Sequence, residues 1–240
     1  MSYLVFDIET IGKPYDEFDE KSKEIFKQWA ERESHTKEDF DRALETVKEG
    51  FPFSPFLGEI ISIAVLDQDG KGGVYFQAPD SGIEDFEEEN PAGDEPVKYR
   101  VGSEKDILDR FWEIARHYNK FVTFAGRLFD GPFVHIRSAV HEIKPTHNLM
   151  DNRYLGMQRR AKHVDLADQL SFYGAMRPRP KLHFATQAFG ITSPKEGGME
   201  GKDVPKAFKD KKYKEIAEYN FADVVATREL YEKWNTYINI

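Results

Sequence analysis

The chain opens on an apolar run broken by acids, Tyr3-Leu4-Val5-Phe6-Asp7-Ile8-Glu9-Thr10. Read as a strand, alternation places Val5, Asp7 and Glu9 on one face and Leu4, Phe6 and Ile8 on the other. From Tyr15 to Gly50 the pattern changes. Apolar residues recur at helical spacing (Phe18, Ile25, Phe26, Trp29, then Phe40, Leu44, Val47) among Glu, Asp and Lys, which predicts two amphipathic helices. Thr36 followed by Asp39 resembles a capping box for the second. Pro52 and Pro55 punctuate the return. Glu59 to Leu66 reads as a strand dense in β-branched residues, Asp67-Gln68-Asp69-Gly70 as a turn, and Gly73 to Gln77 as its partner strand.

Residues 78–98 are acidic and carry Gly and Pro, which predicts a loop. Ser103 and Asp106 box the start of a helix to about Tyr118, with Ile107, Leu108, Phe111, Trp112 and Ala115 facing inward. Lys120 to Gly126 predicts another strand. Pro132 suits the first turn of a helix running to about His141, with Asp130 near its N-terminus. Residues 144–163 are irregular and basic, with Arg153, Arg159, Arg160, Lys162 and His163. Val164 to Asp168 opens a short helix ending near Gly174. A second short helix, Leu182 to Phe189, stops at Gly190. Ser193 to Gly201 is a loop, and the last helix runs from about Lys212 to Tyr237. Strands interspersed with helices, with no repeat and no linker, predict one α/β domain over 1–240. Residues 13–50 form a helical surface insertion after the first strand, and 78–98 an acidic loop.

Composition narrows the chemistry. The 240 residues include no cysteine, which excludes disulfides, thiolate zinc sites and cysteine nucleophiles. No basic-then-apolar leader and no run of membrane-spanning length is present. The expectation is a soluble, cytoplasmic protein with no membrane partner. Net charge is −9, but residues 1–100 hold 11 Lys+Arg and 25 Asp+Glu, a net of −14, while 101–240 hold 23 and 18, a net of +5. The basic residues of 153–181 and 202–214 read equally well as a phosphate-tracking face and as a solvated one.

Two acids two residues apart on one strand face repel each other unless a cation lies between them. The plain alternative for Asp7 and Glu9 is an acidic strand face. Tyr219 and Asp223 share a face of the last helix, which alone is an ordinary pair. Asp130 alone reads as a helix N-cap. Asp165 and Asp168 read as helix-start residues, and the seven histidines show no ligand spacing.

The combination is more specific. Phe6-Asp7-Ile8-Glu9-Thr10, then Phe129-Asp130, then Tyr219-Asn220-Phe221-Ala222-Asp223 resemble, in order, the three motifs of the DEDD 3′–5′ exonucleases, in the branch that carries the tyrosine (DEDDy). Within these the chain resembles the predicted exonuclease family related to the proofreading domain of family B DNA polymerases. Gly58 to Ile63, Phe124 to Phe133, Val164-Asp165-Leu166, Phe189-Gly190 and Gly201 to Val204 resemble its other landmarks.

The resemblance implies a ribonuclease H-like fold, a mixed sheet flanked by helices with the first strand central. It implies a metal-dependent 3′–5′ exonuclease that hydrolyses phosphodiester bonds at the 3′ end of single-stranded nucleic acid, DNA before RNA, and releases nucleoside monophosphates. Asp7, Glu9, Asp130, Tyr219 and Asp223 would be catalytic. The four carboxylates would hold two divalent cations, and an all-oxygen set suits Mg²⁺ or Mn²⁺ over zinc. Asp7 would bridge the ions, Glu9 and Asp223 complete one site, and Asp130 serve the other. Tyr219, with a reference pKa of about 10, would align the attacking water rather than act as its base. Thr10, Ile11 and Phe129 are expected at the terminal nucleotide.

Two positions depart from the family pattern. Ala125 stands where Asn is usual and would help hold the second motif or the substrate strand. Glu59 stands where a basic residue is frequent. No polymerase domain is visible, so proofreading in replication or DNA repair requires a partner in trans. The rival expectation is a non-catalytic nucleic-acid-binding or protein-interaction module that kept the fold. Ala125 and the acidic balance favour it, and the retained acids and tyrosine oppose it.

Overall fold

A computed structural model describes residues 2–152, 157, 161–193 and 198–239. Among the described residues seven strands form one sheet: β1 (Tyr3–Gly12), β2 (Gly58–Asp67), β3 (Gly72–Phe76), β4 (Phe86–Glu88), β5 (Val97–Val101), β6 (Lys120–Thr123) and β7 (His163–Asp165), in the order β4-β5-β3-β2-β1-β6-β7. The turn at Asp67–Gly70 makes β2 and β3 antiparallel, and β1 also runs antiparallel to β2. β6 lies parallel to both β1 and β7. The sheet is therefore mixed, and β1 sits inside it as expected.

The alternation in β1 decides the layers. Leu4, Phe6 and Ile8 are buried with Ile107, Leu108, Phe111 and Trp112 of α3 (Glu104–Ala115) and with Phe133 and Val134 of α4 (Asp130–Val140). On the other face Val5, Ala64 and Leu66 pack against Ala217, Phe221, Val224 and Leu230 of the last helix, Tyr213–Tyr237. The first strand thus carries core on both faces and can show its acids only at one end. Among the described residues no helix is long and apolar enough to cross a membrane.

Three expectations need correction. Residues 78–98 are not simply a loop, because they contain β4 and the start of β5. The Val97, Tyr99, Val101 alternation has the strand period, but five residues give little pattern to read. The acids are strapped to that strand: Arg100 pairs with Asp85 and Glu87, and the Phe86 and Tyr99 rings stack at 4.6 Å. Val164 and Asp165 are strand rather than helix, and the helix they precede, α5, spans only Leu166–Leu170. After α6 (Leu182–Ala188) comes α7 (Val204–Lys209), which the sequence reading missed. It precedes the final helix, α8. Arg153, Arg159 and Arg160 lie outside the described residues, as does 194–197 of the expected loop.

The insertion forms α1 (Glu20–Glu31) and α2 (Lys37–Glu49). Thr36 caps α2 by accepting from the Asp39 N–H at 3.1 Å, but the return contact is its own hydroxyl donating to the Asp39 carboxylate at 2.8 Å. That is half of a capping box. Buried Phe26 holds the hairpin, ringed by Phe18, Phe51 and Trp29 at 5.0, 4.7 and 5.6 Å between centroids. Phe51 begins a single 3₁₀ turn, Phe51–Phe53. There the Thr10 hydroxyl donates to the Pro52 carbonyl at 2.7 Å and ties the insertion back to β1.

A buried ion group joins α3, α4 and β2. One Glu104 oxygen accepts from Ile60 N–H and from Arg137 Nε, each at 2.8 Å. The other accepts from Arg137 Nη2 and contacts His141 Nε2, each at 2.6 Å. Burial alone would raise this carboxyl, but Arg137 and His141 hold it below its ordinary value. Glu104→Ala leaves the largely buried Arg137 charge without the carboxylate that pairs it. The expected loss is about 3–5 kcal/mol, read as a lower urea midpoint with an unchanged slope.

Candidate active site

The acids meet because β1 and α8 are packed together. Asp7 and Glu9 lie on the α8 side of β1, and Phe221 and Val224 seat the helix on the sheet. One carboxylate oxygen each from Asp7, Glu9 and Asp223 lie within 4.8 Å of one another. Tyr219, one turn before Asp223, lines the same cleft. Asp130 reaches in from α4, and its Oδ1 accepts the Ile8 N–H at 3.1 Å. It is not the N-cap of that helix, a position taken by Phe129 without a side-chain bond. Asp130 stands outside the close three-acid group but lines the cleft with it.

Asn220 is a site residue that the sequence reading passed over. It is fully buried, donates to Asp7 Oδ2 at 2.8 Å and accepts from the Ser62 hydroxyl at 2.7 Å. This chain from β2 through α8 fixes the rotamer of Asp7. The available signal was an amide side chain on the buried face of a helix, where an unsatisfied polar group is costly.

Like charges dominate the electrostatics. Burial, then the charges of Asp130, Asp223 and Glu9, push the Asp7 carboxyl well above its ordinary value, against the Asn220 hydrogen bond. Burial, Asp223 and Asp130 do the same to Glu9. Asp130 is pushed up to about 7, mainly by burial, although the Ile8 N–H opposes this. Burial and the adjacent Asp223, Glu9 and Asp7 drive the Tyr219 phenol far above its ordinary range. Its hydroxyl therefore stays protonated at neutral pH and can donate. Close, hard, mutually repelling oxygens fit a divalent cation. Histidine contributes no ligand here: His163 is buried, held neutral with a value of about 3, and spent between Thr123 Oγ1 at 2.8 Å and the Leu149 carbonyl at 3.0 Å.

The loop from β6 into α4 places Asp130, and Asp165 holds that loop. The Asp165 carboxylate accepts from the N–H groups of Ala125, Arg127 and Ala167 at 2.9, 3.0 and 3.0 Å and pairs with Arg179 at 3.0 Å. The helix-start role expected for Asp165 is thus joined by a second. It secures the backbone that the usual Asn at position 125 was expected to help hold. Ala125 itself has φ +68°, a left-handed conformation that suits Asn or Gly better than Ala. Gly126 lies so close to the Thr123 side chain that a Cβ would collide with it. Glu59 does not line the cleft.

The cleft has a volume of about 1060 Å³. Thr10 lines it, with its hydroxyl committed to Pro52. Phe129 lines it with its ring 6.2 Å from that of Phe53. Ile11 packs with Ile61, Val204 and Ile216, a cluster that Tyr219 also joins. The register shift between Glu9 and Thr10 comes from an extra residue in β2, Ile61, so β1 keeps its alternation and Ile11 stays on the face of Asp7 and Glu9, against α8. The insertion also differs from its expected role. Its helices lie on the surface, but Lys13, Tyr15, Lys48 and Phe53 face the cleft.

Two outcomes follow from this geometry. Ala125→Gly relieves the left-handed residue and should raise stability by about 0.5–1 kcal/mol in thermal unfolding. For Asp130, the folded protein keeps a proton up to about pH 7 that the unfolded chain loses near its ordinary value of 3.8. In EDTA its contribution to stability therefore falls as pH rises through that window and is level above it. Asp130→Asn keeps an oxygen for the Ile8 N–H and removes the titration. Its melting temperature should gain on that of the wild type between about pH 5 and pH 8.

Residues 57–238 match a family described as predicted 3′–5′ exonucleases related to the exonuclease domain of PolB. Among curated proteins no sequence matches the chain. Among solved structures, the family B DNA polymerase from the hyperthermophilic archaeon Pyrobaculum calidifontis is similar, with a TM-score of 0.55 and 18% identity over 98% of this chain and 24% of that one. The chain thus spans about a quarter of that polymerase, and the likeness identifies the ribonuclease H-like α/β fold. The mixed sheet, the order of the motif residues and the long family match agree, and the chain belongs to the predicted 3′–5′ exonucleases related to the PolB exonuclease domain.

Proposed function

We propose that this protein is a metal-dependent exonuclease that hydrolyses the terminal phosphodiester at the 3′ end of single-stranded nucleic acid, DNA before RNA. The observation that carries the reading is the convergence of Asp7, Glu9 and Asp223 within 4.8 Å, with Tyr219 and Asp130 in the same cleft. Asp7, Glu9 and Asp223 would hold one divalent cation, and Asp7 with Asp130 a second, Mg²⁺ or Mn²⁺. When bound, such ions offset the charge of the phosphate and make water a competent nucleophile near neutral pH.

The chain's own groups have distinct tasks in this reading. Asn220 keeps Asp7 in one orientation. The Tyr219 phenol, held protonated by the acids around it, donates a hydrogen bond that orients water or a phosphate oxygen. It cannot serve as the base. Water attacks phosphorus, the 3′ oxygen of the preceding nucleotide leaves, and a nucleoside 5′-monophosphate is released. Beside a polymerase in replication or repair, such an activity would proofread in trans.

The test is a gel with 5′-labelled single-stranded DNA and matched RNA, in Mn²⁺, Mg²⁺ or EDTA. The expected result is a metal-dependent ladder shortening from the 3′ end. Asp7→Ala should lower the rate by roughly 10²–10³-fold or more, yet raise the melting temperature in EDTA because it relieves repulsion. Tyr219→Phe should lower the rate by about 10²-fold and leave metal binding in place. No cleavage of either strand in both metals would sink the enzyme reading and favour a binding module.

A further inference from the structure

The family match begins at residue 57, so it does not include the segment after β1 that supplies one side of the cleft. Lys13, Tyr15, Lys48, Phe51 and Phe53 all come from that segment and all line the cavity that holds the acids. Their placement has a physical cause. Phe51 is buried against Phe18 and Phe26, at 5.2 and 4.7 Å between centroids, and anchors the hairpin. Two residues on, Phe53 is 69% exposed. Its nearest ring is Phe129 at 6.2 Å, which belongs to the loop that places Asp130. An exposed phenylalanine beside a half-buried one, at the wall of the cleft, forms a corner for a flat ligand.

Charge supports the same use. Lys48 lies 4.8 Å from the Tyr15 ring centroid and pairs with Glu45, while Lys13 lies 5.3 Å from the Phe18 ring centroid. The aromatic packing that builds the hairpin thus also aims its lysines. Lys202 and Lys206, from the turn before α7 and from α7, line the same cavity. Among the described residues neither Lys13 nor Lys206 has a carboxylate within ion-pair distance. Glu49 and Asp203 also line the cavity, so the lysines are interspersed with acids. Lys202 pairs with Glu200, as Lys48 does with Glu45, which leaves exposed Lys13 and Lys206 without a carboxylate, and these with exposed Phe53, in a chain of net charge −9, match a ligand that alternates phosphates with flat bases.

We propose that residues 13–53 form a strand-binding wall for single-stranded nucleic acid. Phe53 with Phe129 stacks a base 5′ to the scissile phosphate, and Lys13, Lys48 and Lys206 bind the phosphates of that upstream stretch. The wall acts on the strand and leaves the reacting bond to the acids. The inference rests on the nuclease reading for the strand's direction, but its binding prediction stands apart from turnover.

Two substrates separate the roles. The p-nitrophenyl ester of thymidine 5′-monophosphate carries a terminal nucleotide and no upstream strand, whereas a single-stranded oligonucleotide carries both. Phe53→Ala and Lys13→Ala/Lys48→Ala should each raise KM for the oligonucleotide about tenfold and leave kinetics on the ester unchanged. Equal loss on both substrates, or no change on either, overturns the proposal. Binding of a 5′-fluorescein oligonucleotide is measured separately by anisotropy in Ca²⁺. The double variant should weaken it and lower the slope of log affinity against log salt by about 1.4, or about 0.7 for each lost phosphate contact. If wild type cleaves neither substrate, the enzyme reading fails while this one is still decided. Weaker, less salt-dependent binding in the double variant then supports the wall, and unchanged binding overturns it.

Discussion

The structure depends on keeping like charges together. Asp7, Glu9 and Asp223 bring oxygens within 4.8 Å of one another, and Asp130 adds a fourth charge to the same cleft. Each of the four is held above its ordinary value or contributes to raising another. Such an arrangement opposes folding and must be imposed by something stronger. Here it is imposed by the hydrogen-bond ladder of β1 between β2 and β6 and by the apolar seam between β1 and α8. Local donors then refine it: Asn220 orients Asp7, and the Ile8 N–H holds Asp130. Repulsion of this kind is the usual companion of a cation site, where stability is surrendered for function.

Two other acids show the contrast. Asp165 is completely buried, yet four backbone N–H groups and Arg179 satisfy it. Glu104 is buried with Arg137, His141 and the Ile60 N–H around it. These carboxylates are structural because cationic and backbone donors offset their charge. The acids in the cleft instead face one another. The distinction lies in the surroundings of a carboxylate, and residue type alone does not show it.

Asp165 also explains how the second motif loop keeps its shape with Ala125. Its two oxygens grip the backbone on both sides of Gly126, so the path into α4 is set by the strand next door. Ala125 nevertheless adopts a left-handed conformation that suits Asn or Gly better. The wall formed by residues 13–53 is an added layer. Its aromatic cluster packs the hairpin beside the cleft, beyond the segment matched by the family.

Much of this was legible in the sequence. The alternation of Tyr3 to Thr10 assigned Asp7 and Glu9 to one face, and period 3.6 assigned Tyr219 and Asp223 to another, because both periods are local properties of the backbone. Caps at Ser103 and Thr36, and the apolar stripe from Ile107 to Ala115, were readable for the same reason. β4, β5 and β7 were not: they have three to five residues and, unlike β3 after its turn and β6 within an apolar run, no flanking signal that marks a strand. Tertiary structure alone decided that Ile11 meets Ile61, Val204 and Ile216. It alone brought Asn220 to Asp7 across 213 positions of chain and Ser62 to Asn220 across 158, and it brought Phe53 beside Phe129. A sequence pattern specifies which way a side chain leaves its own element. Which distant side chain it then meets is set by the packing of whole elements against one another.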